Sequence, residues 1–360
     1  MATIITTVAE LQAIANDMAG DYELGANINL HDVNWIPLGA SADQSKTPTE
    51  FTGTFDGKGY KISNLTINSN TRGENNMIGL FAELGNCTIS NLVIDNAHIT
   101  DEGYNPHVGI LAGRAYYTKP TISNVSVQGE FWVTHISASE RGNPSVAGLV
   151  GCLYGSNTVS VTDCIATVEM HLYGCDRTWS VAGFIGYGNK LKLTRCYAFG
   201  SITVENTADS GINVSTMQAV CYNTEHIKCG TAVKIHGAIA NTVQTCGKYL
   251  TSSQEFEGSR NLWDGVTIPY ETYADNKITL ISQADFIALT SGNSEAYNTE
   301  DVDFANGKYL KLAIDTETET ETIISYDLTI AGQTFNGVKK VIYNGTELKT
   351  LKLNGTDYTF

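Results

Sequence analysis

Positive charge is scarce in this 360-residue chain: 22 Lys and Arg stand against 38 Asp and Glu, a formal net charge of -16 with a pI near 4.8. Binding to phosphates is driven by Lys and Arg displacing counterions, so nucleic acid is not an expected partner and anionic membranes are disfavoured. Long apolar runs are missing too. None approaches the roughly 20 residues of a membrane span, and the start MATIITTVAEL lacks the basic and apolar regions of a secretory signal. The expectation is a chain made in a cytoplasm, with no membrane insertion. The 8 cysteines, at 87, 152, 164, 175, 196, 221, 229 and 246, never fall within Cys-x-x-Cys spacing. That removes zinc knuckles and thioredoxin-like redox motifs and favours buried free thiols acting as small hydrophobes. No phosphate-binding loop, metal-ligand cluster or nucleophile elbow occurs, so no metal or cofactor is expected. Helix-period apolar stripes are absent outside the termini, while Val, Ile, Thr, Tyr and Gly abound, which points to an all-β chain. With 42% hydrophobic residues it can bury a sizeable core.

What the sequence does contain is repetition. IGLFA from Ile78, VGILAG from Val108, AGLVG from Ala147 and AGFIG from Ala182 place their first glycines at 79, 109, 148 and 183, with gaps of 30, 39 and 35. Each is followed at a similar offset by a second block: TISNLVI from Thr88, TISNVSV from Thr121, VTDCIATV from Val161 and LTRCYAFGSI from Leu193. A further copy, KISNLTI from Lys61, lacks its glycine block. Such periods mark units that bury their core only by stacking. In ISNL the apolar residues Ile62 and Leu65 are three apart, which a bend at Ser63 and Asn64 would reconcile with an inward direction for both. Asparagine suits the left-handed conformation of such a bend. Asn64, Asn91 and Asn124 are therefore expected at equivalent corners of successive coils about 4.8 Å apart, joined as an amide ladder. Asp163 and Arg195 replace the asparagine later and are expected to pair across the surface. Cys164 and Cys196 follow them in the position of Leu65, Leu92 and Val125, pointing inward.

These blocks resemble the GLUG motif of large bacterial surface adhesins, and FTGTFDGKGYKISNLTI, Phe51 to Ile67, resembles the lead-in common in such chains. The resemblance covers about Thr7 to Val204 and implies a right-handed parallel β-helix, or solenoid, with adhesive or structural roles and no catalytic residues. Thr7 and Glu10 form a capping-box pair before the stripe Val8, Leu11, Ile14 and Met18, which predicts an N-terminal helical cap. SQADFIALTSG from Ser282 echoes it. The expected organisation is cap and first strands over 1–50, β-helix over 51–270, a second cap-like unit over 278–315, and a small C-terminal antiparallel β-meander over 316–360. Asn-Gly turns at Asn344 and Asn354 supply its hairpins. This ending resembles short C-terminal modules of bacteriophage virion proteins from gut bacteria.

Long insertions precede the glycine blocks, and insertions at one point of a period emerge on one face. They gather Tyr104, His107, Trp132, His135, Tyr173, Arg177 and Trp179, a set suited to stacking on sugars and hydrogen-bonding hydroxyls; packing of the loops against one another, or against a neighbouring subunit, is the alternative use. The expected function is a non-enzymatic bacteriophage virion appendage, a tail fibre, spike or head fibre, that presents loops to a host-surface glycan. Its partners would be other virion proteins and further copies of itself, a trimer being the expected assembly. A bacterial surface adhesin and a structural spacer are alternatives. So is a polysaccharide lyase or hydrolase using two of Asp101, Glu102, Glu130, Glu140, Glu169 and Asp176.

Overall fold

The computed structural model describes residues 2–41, 47–69, 76–102, 106–134, 144–173 and 180–205, then shorter segments at 213–215, 217–227 and 229–236, and isolated positions and strands between 279 and 359. The chain winds as a parallel β-helix in which, beyond the first coil and as far as His236, aligned strand residues of neighbouring coils lie 30 to 39 apart in sequence. A first stack of strands runs from Thr3–Ile5 through Asp21–Leu24 and Thr54–Asp56 to residues 88–90, 121–123, 160–162 and 192–194. A second holds Ile28–Asn29, Lys61–Ser63 and residues 93–95, 126–127, 165–167 and 197–199. The third comprises Thr66–Ser69 and residues 98–101, 130–133, 169–172 and 201–204. The fourth is a sheet of its own: Met77–Ile78, His107–Val108, Ser145–Ala147, Ser180–Ala182 and Asn213–Ser215. Phe81–Glu83 and residues 112–116, 150–154, 185–189 and 218–222 make the fifth.

The glycine-apolar blocks form the bend from the fourth stack to the fifth. Leu80, Ile110, Leu149 and Phe184 fill the interior there, each fully buried, and the Leu80 and Ile110 amides donate to Ile110 and Gly148 oxygens of the next coil at 2.9 and 3.0 Å. A Cβ on Gly79 would lie 2.4 Å from the Gly109 oxygen, and one on Gly148 would lie 2.3 Å from the Gly183 oxygen. Those are backbone atoms that cannot swing aside, so the recurring glycine is a requirement of coil-to-coil spacing.

Two asparagine ladders are present where the sequence suggested one. Asn91, Asn124, Asp163 and Arg195 occupy the bend between the first and second stacks, with φ between 51° and 54°. Asn91 Nδ2 donates to Asp56 at 2.9 Å, Asn124 Nδ2 donates to Asn91 at 2.9 Å, and Arg195 closes on Asp163 through two bonds of 2.5 Å. Asn64 is not in this series. It lies at the following bend, where its Nδ2 donates to Asn29 at 2.8 Å and its Oδ1 accepts from Asn96 Nδ2 at 2.6 Å. KISNLTI thus stacks on VIDNAHI, Ile62 opposite Ile94 and Ile67 opposite Ile99, and TFDGK takes the place under TISNL. The physical reason is that both bends need a left-handed residue, so the same letter serves at each. Leu65, itself fully buried, consequently belongs to the column of that following bend, and the column here reads Leu92, Val125, Cys164, Cys196, Cys229, all buried. Among the described residues Cys87, Cys152, Cys164, Cys196 and Cys229 are free thiols.

The helix Val8–Ala13 begins at a capping box in which Thr7 accepts from the Glu10 amide and the Glu10 carboxylate accepts from the Thr7 amide. Leu11, Ile14 and Met18 enter the apolar interior, with Val8 packed beside it. The lengthy SQADFIALTSG echo lies outside the described residues. A second compact unit, Glu317–Phe360, contains antiparallel hairpins: Tyr326–Ile330 with Gln333–Val338, Ile342–Tyr343 with Thr346–Glu347, and Thr350–Leu353 with Thr356–Thr359.

Candidate functional site

The three segments bearing the expected binding loops, 103–105, 135–143 and 174–179, all join the third stack to the fourth. Tyr104, His135, Arg177 and Trp179 fall within them and lie outside the described residues, as do Glu140 and Asp176. Trp132, Tyr173 and His107 are described. Trp132 and Tyr173 sit on strands of the third stack, whereas His107 begins the fourth.

Alternation along the third stack decides which side chains face out. Ile99, Phe131, Met170 and Ile202 point inward and are buried, so their neighbours His98, Thr100, Glu130, Trp132, Glu169 and His171 form the outer face. Register puts Glu130 opposite both His98 and Glu169, and Trp132 opposite both Thr100 and His171. The Trp132 ring is 36% exposed and stacks on His171 with centroids 4.0 Å apart at 10°. Its Nε1 donates to Glu130 Oε1 at 2.6 Å. The same carboxylate lies 3.5 Å from His98 Nδ1 and 3.8 Å from His171 Nε2. Trp132 is thereby held by its edge and one face, a preorganised platform with a carboxylate and two imidazoles alongside.

His107 is a structural residue of the wall. Its Nδ1 is 2.5 Å from Ser145 Oγ on the next coil, and burial first, then the Arg114 charge, pushes its pKa down to about 3. Asp101 is fully buried and accepts from Asn76 Nδ2 at 2.7 Å, which takes it out of the solvent-facing carboxylates.

A second aromatic surface escaped the sequence reading. At the end of the fifth stack Tyr116 and Tyr117 meet edge to face at 4.5 Å, both contact Tyr154 of the next coil at 5.4 and 4.9 Å, and Tyr154 stacks on Tyr187 of the coil after at 5.9 Å and 9°. Arg114 covers Tyr116 from 5.6 Å and is neutralised by a bidentate pair with Glu83 at 2.8 Å. Burial and the Tyr117 hydroxyl raise the Tyr116 pKa. The signal was available: AGRAYY, GCLY and IGY each place a tyrosine shortly after a glycine-apolar block. Cys152 lies beneath this surface, its thiol pushed up to about 12 by burial.

No group of three His, Cys, Asp or Glu able to hold a metal ion occurs among the described residues, and no described helix is long and apolar enough to cross a membrane. Residues 7–129 match the family described as the M26 IgA1-specific metallo-endopeptidase N-terminal region. A glycine-rich membrane protein described for Evansella cellulosilytica is 28% identical over 44% of this chain and 20% of its own length. Halomucin of Haloquadratum walsbyi is 37% identical over 41% of this chain and 2% of its own. The chain therefore spans a fifth or less of these relatives. A candidate immunoglobulin A1 protease of known structure from Bacteroides ovatus has 14% identity and a TM-score of 0.44, covering 87% of this chain and 92% of that one.

Proposed function

We propose that this chain is a non-catalytic β-helical attachment module, displayed on the outside of a microbial cell or of a virion, that holds a surface glycan on its Trp132 face. The observation that carries the reading is the fixed, half-exposed Trp132 ring, with Glu130, His98 and His171 placed to bond hydroxyls around it. A sugar ring offers an apolar face to such a platform and hydroxyls to its rim. The likeness to a membrane protein supports a place at a cell surface, and the C-terminal hairpins, through their resemblance to virion modules, support a tail-fibre, spike or head-fibre setting. Co-purification with cell envelopes or with virions separates the two. Other virion proteins and further copies of the chain, as a trimer, are the partners proposed in the second setting.

The test is a glycan array followed by calorimetric titration of the best ligand. Changing Trp132 to Ala should weaken binding at least tenfold while the circular dichroism stays unchanged. No signal from the intact chain on any glycan, or equal affinity in the variant, would overturn the proposal.

One observation favours a second reading. Glu130 and Glu169 stand opposite one another on the outer face, and neighbouring strands are about 4.8 Å apart, close to the roughly 5 Å between the carboxylates of a retaining glycosidase. Release of reducing ends from the bound glycan, lost in Glu169→Gln, would replace attachment by hydrolysis.

A further inference from the structure

The tyrosine surface lies at the end of the fifth stack, whereas Trp132 lies on the third, and its composition differs. It is a line of rings running from coil to coil, Tyr116 and Tyr117, then Tyr154, then Tyr187, each contacting the next. Tyr117 is 60% exposed and Tyr116 43%. Burial gives no reason for a large aromatic side chain at either position.

The backbone adds an independent mark. Tyr117 holds φ of +56°, a left-handed conformation that is an outlier for a bulky residue, and the register of its strand slips between Tyr116 and Thr118. The left-handed turn recurs at the same bend of a later coil, at Lys190 with φ of +55°, and the bulge re-aims the side chain. Here its effect is to place two consecutive tyrosines against the same partner ring, Tyr154.

Charge and size select the occupant. The cation at the end of the line, Arg114, is already matched by Glu83 through two hydrogen bonds, so an anionic polymer gains little from it. A tyrosine covers about 150–250 Å² in all, so rings of this exposure present a few hundred Å², short of the roughly 800 Å² that each partner contributes to a stable protein interface. A slender ligand fits where a folded surface does not. Rings repeating at the coil spacing, with phenol hydroxyls at their rims, match a ligand that is itself periodic, uncharged and rich in hydroxyls.

We infer that the Tyr116–Tyr117–Tyr154–Tyr187 strip is a binding track for a linear, neutral polysaccharide laid along the solenoid axis, separate from the Trp132 platform. The experiment uses the full chain with cellohexaose and β-1,4-mannohexaose as probes, followed by calorimetry and by protection of tyrosines from nitration. At least one probe should bind with millimolar affinity or better and protect Tyr117. The double variant Tyr117→Ala/Tyr154→Ala should bind at least tenfold more weakly, and polygalacturonate should compete poorly. Protection of Tyr117 from nitration should persist in Trp132→Ala, so failure of the Trp132 reading and failure of this one are told apart. Absence of binding by both probes, equal binding by the double variant, or tyrosine-dependent self-association in sedimentation would each overturn the assignment.

Discussion

At the residue scale the most consequential side chain is one built into a strand of the coil wall. The His107 imidazole, held against Ser145 in the coil wall, keeps its neutral form down to about pH 3, whereas an unfolded histidine takes up a proton near 6.5. Below 6.5 the unfolded chain therefore binds more protons than the folded one, and stability must fall as pH drops from 6.5 towards 3 and be insensitive to this group above 6.5. His107→Gln should narrow the difference in melting temperature between pH 7.5 and pH 4.5, as measured by circular dichroism. An equal difference in both proteins would count against the wall role. The buried thiols run the opposite way. Cys87 and Cys152, raised from 9.0 to about 12 by burial, contribute stability below pH 9 that is lost between 9 and 12, because there the unfolded chain releases protons that the folded chain keeps.

The element that organises the coils is the bend between the first and second stacks. Its amide ladder passes without a break in position into the Asp163–Arg195 pair, of which the side chains are 18% and 32% exposed. Arg195→Ala removes two charge-assisted bonds from a partly buried carboxylate, and the expected cost is about 1–3 kcal/mol in urea unfolding. Asp163→Asn with Arg195→Asn should return to within about 1 kcal/mol of the starting protein, because asparagine accepts the left-handed backbone at both sites. The sequence disclosed this element well, since a corner residue, an inward apolar residue and a glycine recur together. It misplaced Asn64 because two successive bends impose the same demand and nothing local to ISN tells them apart. The binding residues were less legible. Trp132 was singled out as a loop aromatic and proves to lie on a strand, where alternation, not loop length, sets its direction. Tyr116, Tyr117, Tyr154 and Tyr187 went unremarked because each looks ordinary alone, and only stacking of the coils makes them neighbours.

At the scale of the whole molecule the chain divides into Met1–Thr316 and Glu317–Phe360. Two-stranded hairpins have little core of their own. Ending the chain after Thr316 should leave the main thermal transition within about 2 °C of that of the full chain; a larger fall would show that the hairpins brace the coils. A solenoid built of near-identical rungs also faces a threading hazard. A coil that docks one rung too early would still find glycine facing glycine and isoleucine facing isoleucine. The Asp163–Arg195 pair, like Glu83–Arg114, is a rung contact that a slipped coil cannot reproduce, since either residue would then oppose an asparagine or nothing of opposite charge. Its sense is that of a phase mark: it contributes little to the depth of the native state and much to there being only one alignment in which the chain can close.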